Sequence, residues 1–236
     1  MKLDFTNARV LAVVAHPDDA ELLCAGTLAR ARAEGASAGI CVLCRGDKGQ
    51  ARKTVANLPA VRRREMAASA RLLKAQLFLA GFSDGTLMDG LAQRRALTEI
   101  YRRFKPTLVL AHAPEDYHPD HRAASALAEA ASWFCASRGY KLRSPALATA
   151  PELWWMDTLN MSGFTPGFYV DVSLHLNLKT RMLACHKSQL QRSADPDFSP
   201  MTEMLLQQAR TRGSQAGVAA AEAFRAYHAF KRSRAW

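Results

Sequence analysis

The sequence predicts an α/β fold, namely a Rossmann-like, mostly parallel sheet with helices on both faces. Apolar runs of strand length alternate with amphipathic helical stretches through the first 135 residues or so. This β-α-β-α alternation is typical of parallel strands joined by right-handed crossovers. The chain has 236 residues, of which 49% are hydrophobic, so a sizeable core can form. We expect one domain over residues 1–236, with an elaborated C-terminal part.

The regular part of the pattern contains four strands, each followed by a helix. The strands are predicted at 9–15, 38–44, 76–80 and 107–112, and the helices at 21–34, 61–74, 91–104 and 120–136. Beyond Gly139 the pattern loosens. There we expect strands at 152–156 and 168–172 and helices at 174–187, 201–212 and 217–229.

Composition narrows the class of protein. No apolar run approaches the roughly 20 residues that span a bilayer. The first ten residues lack the apolar core of a signal peptide, so we expect a cytoplasmic protein without a membrane span. The five cysteines are odd in number and lie mostly in apolar sequence, which is typical of reduced core thiols. Cys41 and Cys44 form a single CxxC within an apolar run, and we interpret them as core residues.

The formal net charge is +11, with arginines and lysines in several short clusters. Such a field attracts acidic small molecules or nucleic acid. The simpler interpretation is that these residues form solvated helix faces. No interleaving of aromatic and basic residues and no recognition-helix motif supports nucleic-acid binding, so nucleic acid is not an expected partner.

Two clusters follow the first and fourth predicted strands: HPDD at 16–19 and HPDH at 118–121. In a doubly wound sheet of order 3-2-1-4, these strands are neighbours and their connections leave in opposite directions. Ligands bind in the crevice outside such a switch point. An Asp pair or a Pro at a helix start often serves only the helix. Two such clusters at the same switch point instead indicate a functional site.

The residue types in these clusters fit a metal centre. His16 and Asp19 can converge from one helical turn, and His121 can add a third ligand from across the crevice. Two imidazoles and a carboxylate suit catalytic zinc and also non-haem iron(II), so the ligand set does not choose the metal. Asp18 is placed to take a proton from water, and His118 to protonate a leaving group or stabilise an oxyanion.

The sequence resembles the LmbE-like, or PIG-L, zinc de-N-acetylases. AHPDDAE at 15–21 and HPDH at 118–121 look like the two signature motifs of that family. Weaker matches run through most of the chain, and they are Gly26-Thr27, RGDKG at 45–49, Arg62, Glu65, GFSDG at 81–85, PED at 114–116, HKSQ at 186–189 and GVAAAEAF at 217–224.

The resemblance implies zinc ligands at His16, Asp19 and His121 and a general base at Asp18, in agreement with the assignment from the residues. It also implies that Asp120 orients His118. Arg62 and Asp84 match positions that contact the substrate in the family. Two further positions of the pocket mouth depart from its pattern: Tyr117 stands where bacterial relatives often have Arg, and Asp47 where Glu is usual. Both departures leave the substrate open.

The first hypothesis is therefore a zinc-dependent deacetylase that acts on an N-acetylglucosamine-type conjugate, a small molecule that the positive charge suggests is anionic. The runner-up is a metal-dependent amidase on a non-sugar acyl amide, and the third is a basic nucleic-acid-binding protein. The resemblance also implies a trimer or hexamer. His112, His175 and His228 are expected as core or surface residues, whereas His186 is as compatible with a structural role as with a catalytic one.

Overall fold

The computed structural model describes residues 3–50, 54–194 and 200–228. The strands are β1 (Arg9–Val14), β2 (Ser37–Cys44), β3 (Gln76–Phe82), β4 (Leu108–His112), β5 (Glu152–Met156), β6 (Phe168–Asp171) and β7 (Ala221–Ala226). The α-helices are α1 (Asp19–Leu23), α2 (Ala25–Ala33), α3 (Leu58–Leu73), α4 (Leu91–Phe104), α5 (Pro119–Phe134), α6 (Leu176–Leu183), α7 (Lys187–Leu190) and α8 (Met201–Ala216).

The strands form one sheet in the order β3-β2-β1-β4-β5-β7-β6. The first five of these strands are parallel to one another, whereas β7 is antiparallel to both β5 and β6. The predicted order 3-2-1-4 is therefore confirmed. β1 and β4 are neighbours. The chain continues from β1 to β2 on one side and from β4 to β5 on the other. The predicted switch point lies at their carboxyl ends.

Residues 10–14 of β1, 38–44 of β2 and 108–111 of β4 are all apolar because both faces of the sheet are covered. Along β1, Val10 and Val14 pack into one hydrophobic core and Leu11 and Val13 into a second core on the opposite face. Uninterrupted apolar runs are expected for parallel strands that are buried on both faces. Of the described helices, none is long and apolar enough to cross a membrane.

The helix predicted at 21–34 is two helices, α1 and α2, that are separated at Cys24. The buried carboxylate of Glu222 accepts hydrogen bonds from the backbone N–H groups of Gly26 and Thr27, at 2.9 and 2.7 Å. This carboxylate satisfies the free N–H groups of the first turn of α2, and Lys179 neutralises its charge. Similarly, the helix predicted at 174–187 is a short 3-10 turn, α6 and the start of α7.

The prediction of a helix at 217–229 is wrong. Residues 221–226 form β7, and the last residue of the predicted helix lies outside the described residues. The Ala-rich sequence favours a helix, but α8 already ends at Gly217, which has a φ of 71°. The segment that follows is buried on both faces between β5 and β6, so tertiary pairing overrides helix propensity here.

Candidate metal centre

The two sequence clusters meet in one cavity at the carboxyl ends of β1 and β4. His16 follows β1 directly, and His118 caps the start of α5. The cavity has a volume of about 580 Å³, which is sufficient for a small-molecule ligand. All nine residues that the sequence predicts for the site line it, namely His16, Asp18, Asp19, Arg62, Asp84, Tyr117, His118, Asp120 and His121.

Asp19 lies between the two histidines predicted as metal ligands. One oxygen of its carboxylate is 3.5 Å from His16 Nδ1, and the other is 3.4 Å from His121 Nε2. Two further sets of side chains have ligand atoms within 4.8 Å of one another: His16, His118 and His121 form the first, and Asp19, His112 and His121 the second. Each set contains two of the three predicted ligands. The predicted ligands therefore share one small volume.

A second carboxylate lies behind each of these histidines. Asp120 is 3.0 Å from Nε2 of His16, and Asp116 is 3.0 Å from Nδ1 of His121. In both rings the other nitrogen is left facing Asp19. Metal-binding histidines commonly donate their second ring N–H to such a carboxylate, which fixes the tautomer and makes the free nitrogen a better ligand. This arrangement fits a divalent metal held by His16, Asp19 and His121.

The charges of the cluster also favour a cation. Burial raises the pKa of Asp19, but the charge of His121 and the hydrogen bonds to the neighbouring histidine rings together outweigh burial and hold this pKa well below its usual range. Burial lowers the pKa of both histidines, but the carboxylates prevail and raise it to about 10 for His16 and about 9 for His121. The buried carboxylates therefore bind protons on both rings when no other cation neutralises them.

Asp18 adjoins the cluster, but its side chain pairs with Arg62 rather than with His16 or His121. Its φ of 97° lies in the left-handed region, where Asp is more often tolerated than most residues. Its side chain is buried, and its Oδ2 accepts a hydrogen bond from the Arg62 guanidinium at 2.7 Å. Burial raises the pKa of Asp18 to about 6, although the charge of Arg62 lowers it. A carboxyl of this pKa can exchange a proton near neutral pH.

Two predicted substrate contacts have protein partners in the structure. Arg62 is buried and donates to the backbone carbonyl of Pro17, 2.5 Å away, as well as to Asp18. Asp84 accepts from the backbone N–H groups of Gly46 and Lys48, at 2.8 and 3.0 Å. Gly46 has a φ of 70°, and a Cβ there would lie 2.5 Å from Arg62 Cδ, so only glycine fits beside this arginine.

Asp120 contacts His118 through its backbone rather than its carboxylate. The Asp120 carboxylate binds Nε2 of His16 and the backbone N–H of Gly85, and only the backbone N–H of Asp120 reaches Nδ1 of His118. His118 is therefore held as the cap of α5, and its ring stacks on His121 with centroids 4.7 Å apart. Burial and the charge of His121 lower its pKa.

Tyr117 lies at the mouth of the cavity. It is 55% exposed, and its ring meets those of His118 and His121 edge to face, with centroids 6.2 and 6.0 Å apart. Asp47, the other departure from the family pattern, accepts from the Ser83 hydroxyl and the backbone N–H of Asp84. It thereby joins the 45–49 loop to the loop after β3.

Sequence reasoning missed the parts of His112 and Asp116 in this centre. His112 is fully buried, its Nε2 accepts from the backbone N–H of Ala15, and its ring stacks on His121 at 3.9 Å. Burial lowers the pKa of His112 to about 4, so its ring is neutral beside His121. Its position at the last residue of β4 was the available signal. Asp116 was noted only as part of the PED match.

His186 does not line the cavity. It is fully buried, and its Nε2 is 3.4 Å from the carboxylate of Glu21 in α1. The Ser69 hydroxyl of α3 donates to the same carboxylate. This contact joins the start of α7 to two helices behind Asp18. The contact with Glu21 is consistent with a structural role for His186.

The fold and the cluster of His and Asp side chains agree with the comparisons, which support a metal-dependent enzyme of the deacetylase or hydratase type. The family model described as PIG-L, GlcNAc-PI de-N-acetylase, matches residues 11–132. This match covers half of the chain, and the chain belongs to the PIG-L family.

Solved structures and a curated relative agree with this membership. A conserved protein from Thermus thermophilus is 34% identical, with a TM-score of 0.81, over 97% of this chain and 100% of that one. The N,N'-diacetylchitobiose deacetylase from Pyrococcus horikoshii is 25% identical, with a TM-score of 0.82, over 95% of this chain and 85% of that one. The 4-oxalmesaconate hydratase of Pseudomonas putida is 30% identical over 139 residues, or 56% of this chain and 54% of that protein. The chain thus spans about half the length of this curated relative.

Proposed function

We propose that the protein is a zinc-dependent hydrolase that removes the N-acetyl group from an N-acetylglucosamine-type conjugate and releases acetate. The observation that carries the proposal is the buried Asp18 beside the two carboxylate-backed histidines that face Asp19. A site of this kind combines an open metal position with a separate proton acceptor. The family membership and the likeness to a diacetylchitobiose deacetylase support the acetamide as the bond that is cleaved.

In this proposal His16, Asp19 and His121 would hold the metal. Zinc, or alternatively iron(II), would supply Lewis acidity toward a water molecule and an amide carbonyl. Asp18 takes the proton from the attacking water, and Arg62 keeps its carboxylate pointed into the cavity.

His118 then acts on the leaving amine or on the oxyanion. Its ring is stacked on His121 and its Nδ1 is occupied by the backbone N–H of Asp120. The hydrogen bond to Nδ1 requires that nitrogen to be the acceptor, so any proton that His118 carries is on Nε2. The side chain is partly exposed, which leaves Nε2 as the atom from which His118 donates to substrate. This assignment makes His118 a donor of fixed geometry.

The lining of the cavity supports a conjugate rather than a free sugar. It includes the cationic side chains of Lys48 and Arg192 and the apolar side chains of Leu159, Met201 and Met204. A cationic wall suits an acidic group, and methionines adapt to apolar groups of varied shape. Arg62, Asp84 and Tyr117 are proposed to contact the sugar or its attached group. We accordingly propose an amino-sugar conjugate with an anionic substituent as substrate, and a trimer or hexamer as the working assembly.

Two aspartate variants test the assignment of base and ligand. Asp18→Asn keeps size and polarity but cannot accept a proton from water. Its kcat should fall by about 10²–10⁴-fold with metal content near that of the wild type. Asp19→Asn should instead lose metal, because an amide is a poorer ligand than a carboxylate. Metal stoichiometry and released acetate are measured on the same preparations, with a panel of N-acetylglucosamine conjugates. Loss of metal in Asp18→Asn with retention in Asp19→Asn would reverse the two roles.

Hydration of an unsaturated dicarboxylic or tricarboxylic acid is the second candidate. The curated relative of Pseudomonas putida is a hydratase, and its 30% identity to this chain favours testing that reaction. The same Asp18 would activate water, which would then add to a carbon–carbon double bond. Loss of the ultraviolet absorbance of a conjugated enol acid, without any release of acetate from sugar conjugates, would decide for hydration. Acetate release from simple acyl amides, but not from sugars, would decide for the amidase.

A further inference from the structure

The Cys44 thiol lies behind the proposed metal centre. Cys44 is the last residue of β2, and its backbone N–H donates to the carbonyl of Ala15 at 2.8 Å, next to His16. The pairing of β2 with β3 is irregular between Val42 and Cys44. Such irregularities re-aim side chains near functional sites. The sheet thus fixes the thiol beside His16.

The sulfur of Cys44, a ring nitrogen of His16 and a carboxylate oxygen of Asp120 lie within 4.8 Å of one another. Cys44 is 1% exposed, and its thiol makes no hydrogen bond to any residue in the described part of the chain. The nearest pair in this group is Nε2 of His16 and the Asp120 carboxylate, 3.0 Å apart. An unpartnered buried thiol therefore faces an imidazole and a carboxylate.

We propose that Cys44, His16 and Asp120 form a second metal site, which takes a thiophilic divalent cation such as Zn²⁺ or Cd²⁺. Zinc binds thiolate, imidazole and carboxylate at about 2.3, 2.0 and 2.1 Å, so its tetrahedral ligand atoms lie roughly 3.4–3.6 Å apart. The observed spacing requires only small shifts of the three side chains. Hard cations such as Mg²⁺ prefer oxygen ligands and are not expected to bind there.

The two sites use opposite nitrogens of His16. Nδ1 faces Asp19, and Nε2 faces Asp120, the third member of the group with Cys44. A cation in the second site replaces the proton that joins His16 to Asp120, and it also displaces the proton of the thiol. Binding therefore releases two protons when His16 is neutral. His16 loses the hydrogen bond that orients it, so a filled second site should inhibit the enzyme.

The inhibitory consequence rests on the proposed function, whereas the existence of the site does not. The probe is Cd²⁺, titrated into protein that already holds its first metal. The proposed catalytic ligands include no sulfur, so an ultraviolet thiolate-to-cadmium charge-transfer band reports on a cysteine. The variants are Cys44→Ser and Cys44→Ala, with Cys41→Ser as the matched control, because Cys41 is a buried cysteine of the same strand.

The wild type and Cys41→Ser should show the band, bind one additional equivalent of Cd²⁺ and lose activity. Both Cys44 variants should lack the band and the additional equivalent, and the Cd²⁺ concentration that inhibits them should rise by at least about tenfold. A band that persists in both Cys44 variants, or no band in the wild type, would overturn the proposal. A Cys44-dependent band in a protein without deacetylase activity would support this site and refute the proposed function instead.

Discussion

Asp116 provides a direct test of how the proposed metal centre is assembled. Its carboxylate is 2% exposed, and Oδ1 is 3.0 Å from Nδ1 of His121 and accepts the backbone N–H of His118 at 2.9 Å. Burial raises the pKa of Asp116, but the contact with His121, the charge of that ring and the hydrogen bond from the His118 backbone together outweigh burial, so the pKa is lowered and the carboxylate is ionised at neutral pH. The charge of this carboxylate favours the His121 proton on Nδ1 and leaves Nε2 to bind metal.

Two substitutions at Asp116 separate geometry from charge. Asp116→Ala removes the acceptor, so the His121 ring can rotate and can carry its proton on the ligand nitrogen. Metal affinity should fall by roughly 100-fold, or about 2.7 kcal/mol, the upper end for losses of this kind. Asp116→Asn keeps an oxygen at the position of Oδ1 and loses only the charge. Its loss should be about 10-fold, or about 1.4 kcal/mol.

Metal affinity is measured by competition with a chelator of known affinity. Glu115→Ala is the matched control, because Glu115 is the adjacent carboxylate and forms an exposed ion pair with Arg225. Exposed pairs contribute little, so this variant should bind metal like the wild type. An Asp116→Ala protein with affinity within twofold of the wild type, or an equal loss in Glu115→Ala, would refute the role given to Asp116.

Two further predictions concern stability and substrate charge. Glu222→Gln leaves the buried Lys179 without its counter-ion, 2.5 Å from the altered group, and weakens the acceptor of the Gly26 and Thr27 N–H groups. In thermal denaturation, the free energy of unfolding should fall by about 3–5 kcal/mol and Tm by roughly 6–20 °C. A fall in the free energy of unfolding of less than about 1 kcal/mol would contradict this prediction. If Lys48 and its neighbours attract an acidic substrate, added salt should lower kcat/KM more for an anionic than for a neutral conjugate, and equal salt sensitivity would contradict that attraction.

The net charge of +11 overstates the basic surface, because several arginines are structural. Arg102, which belongs to one of the basic clusters of the sequence, is buried and donates to the backbone carbonyls of Phe134, Ser137 and Tyr140 among others. Arg212 pairs with the buried Asp157. These two arginines therefore serve the fold rather than a solvated helix face, and they do not add to the basic surface.

The sequence was sufficient to predict the arrangement of β1 and β4 because that arrangement follows from local patterns. Each strand is a largely apolar run, and a His-Pro-Asp cluster follows each of them, after one residue for β1 and after five for β4. The rules for parallel sheets then place both clusters at one crevice. The same reasoning failed for β7, because Ala221–Ala226 carries helix-forming residues and becomes a strand only through β5 and β6. No local pattern contains that information.

Contacts between distant residues account for what the sequence could not predict in the site. Arg62, which the resemblance assigns to the substrate, lies 44 positions from Asp18, and its guanidinium also binds that carboxylate. Asp120 lies two positions from His118 in sequence, and its carboxylate reaches His16, 104 positions away. Neither of these contacts follows from local sequence. A residue type indicates which chemistry a side chain can perform, whereas the partner is chosen by the tertiary structure.

His16 shows how closely the chemistry of the site depends on the sheet. Its backbone continues β1, so its position is fixed by the strands on either side, β2 and β4. The β4 side supplies Asp120 through the start of α5, and the β2 side supplies Cys44. Asp19 is presented by α1 on the opposite side of the ring. Each nitrogen of His16 therefore has its own partners. A change in the partners of one nitrogen alters the charge and orientation of the other, because both belong to the same ring. The metal affinity of the centre should for this reason respond to residues that never contact the proposed catalytic metal.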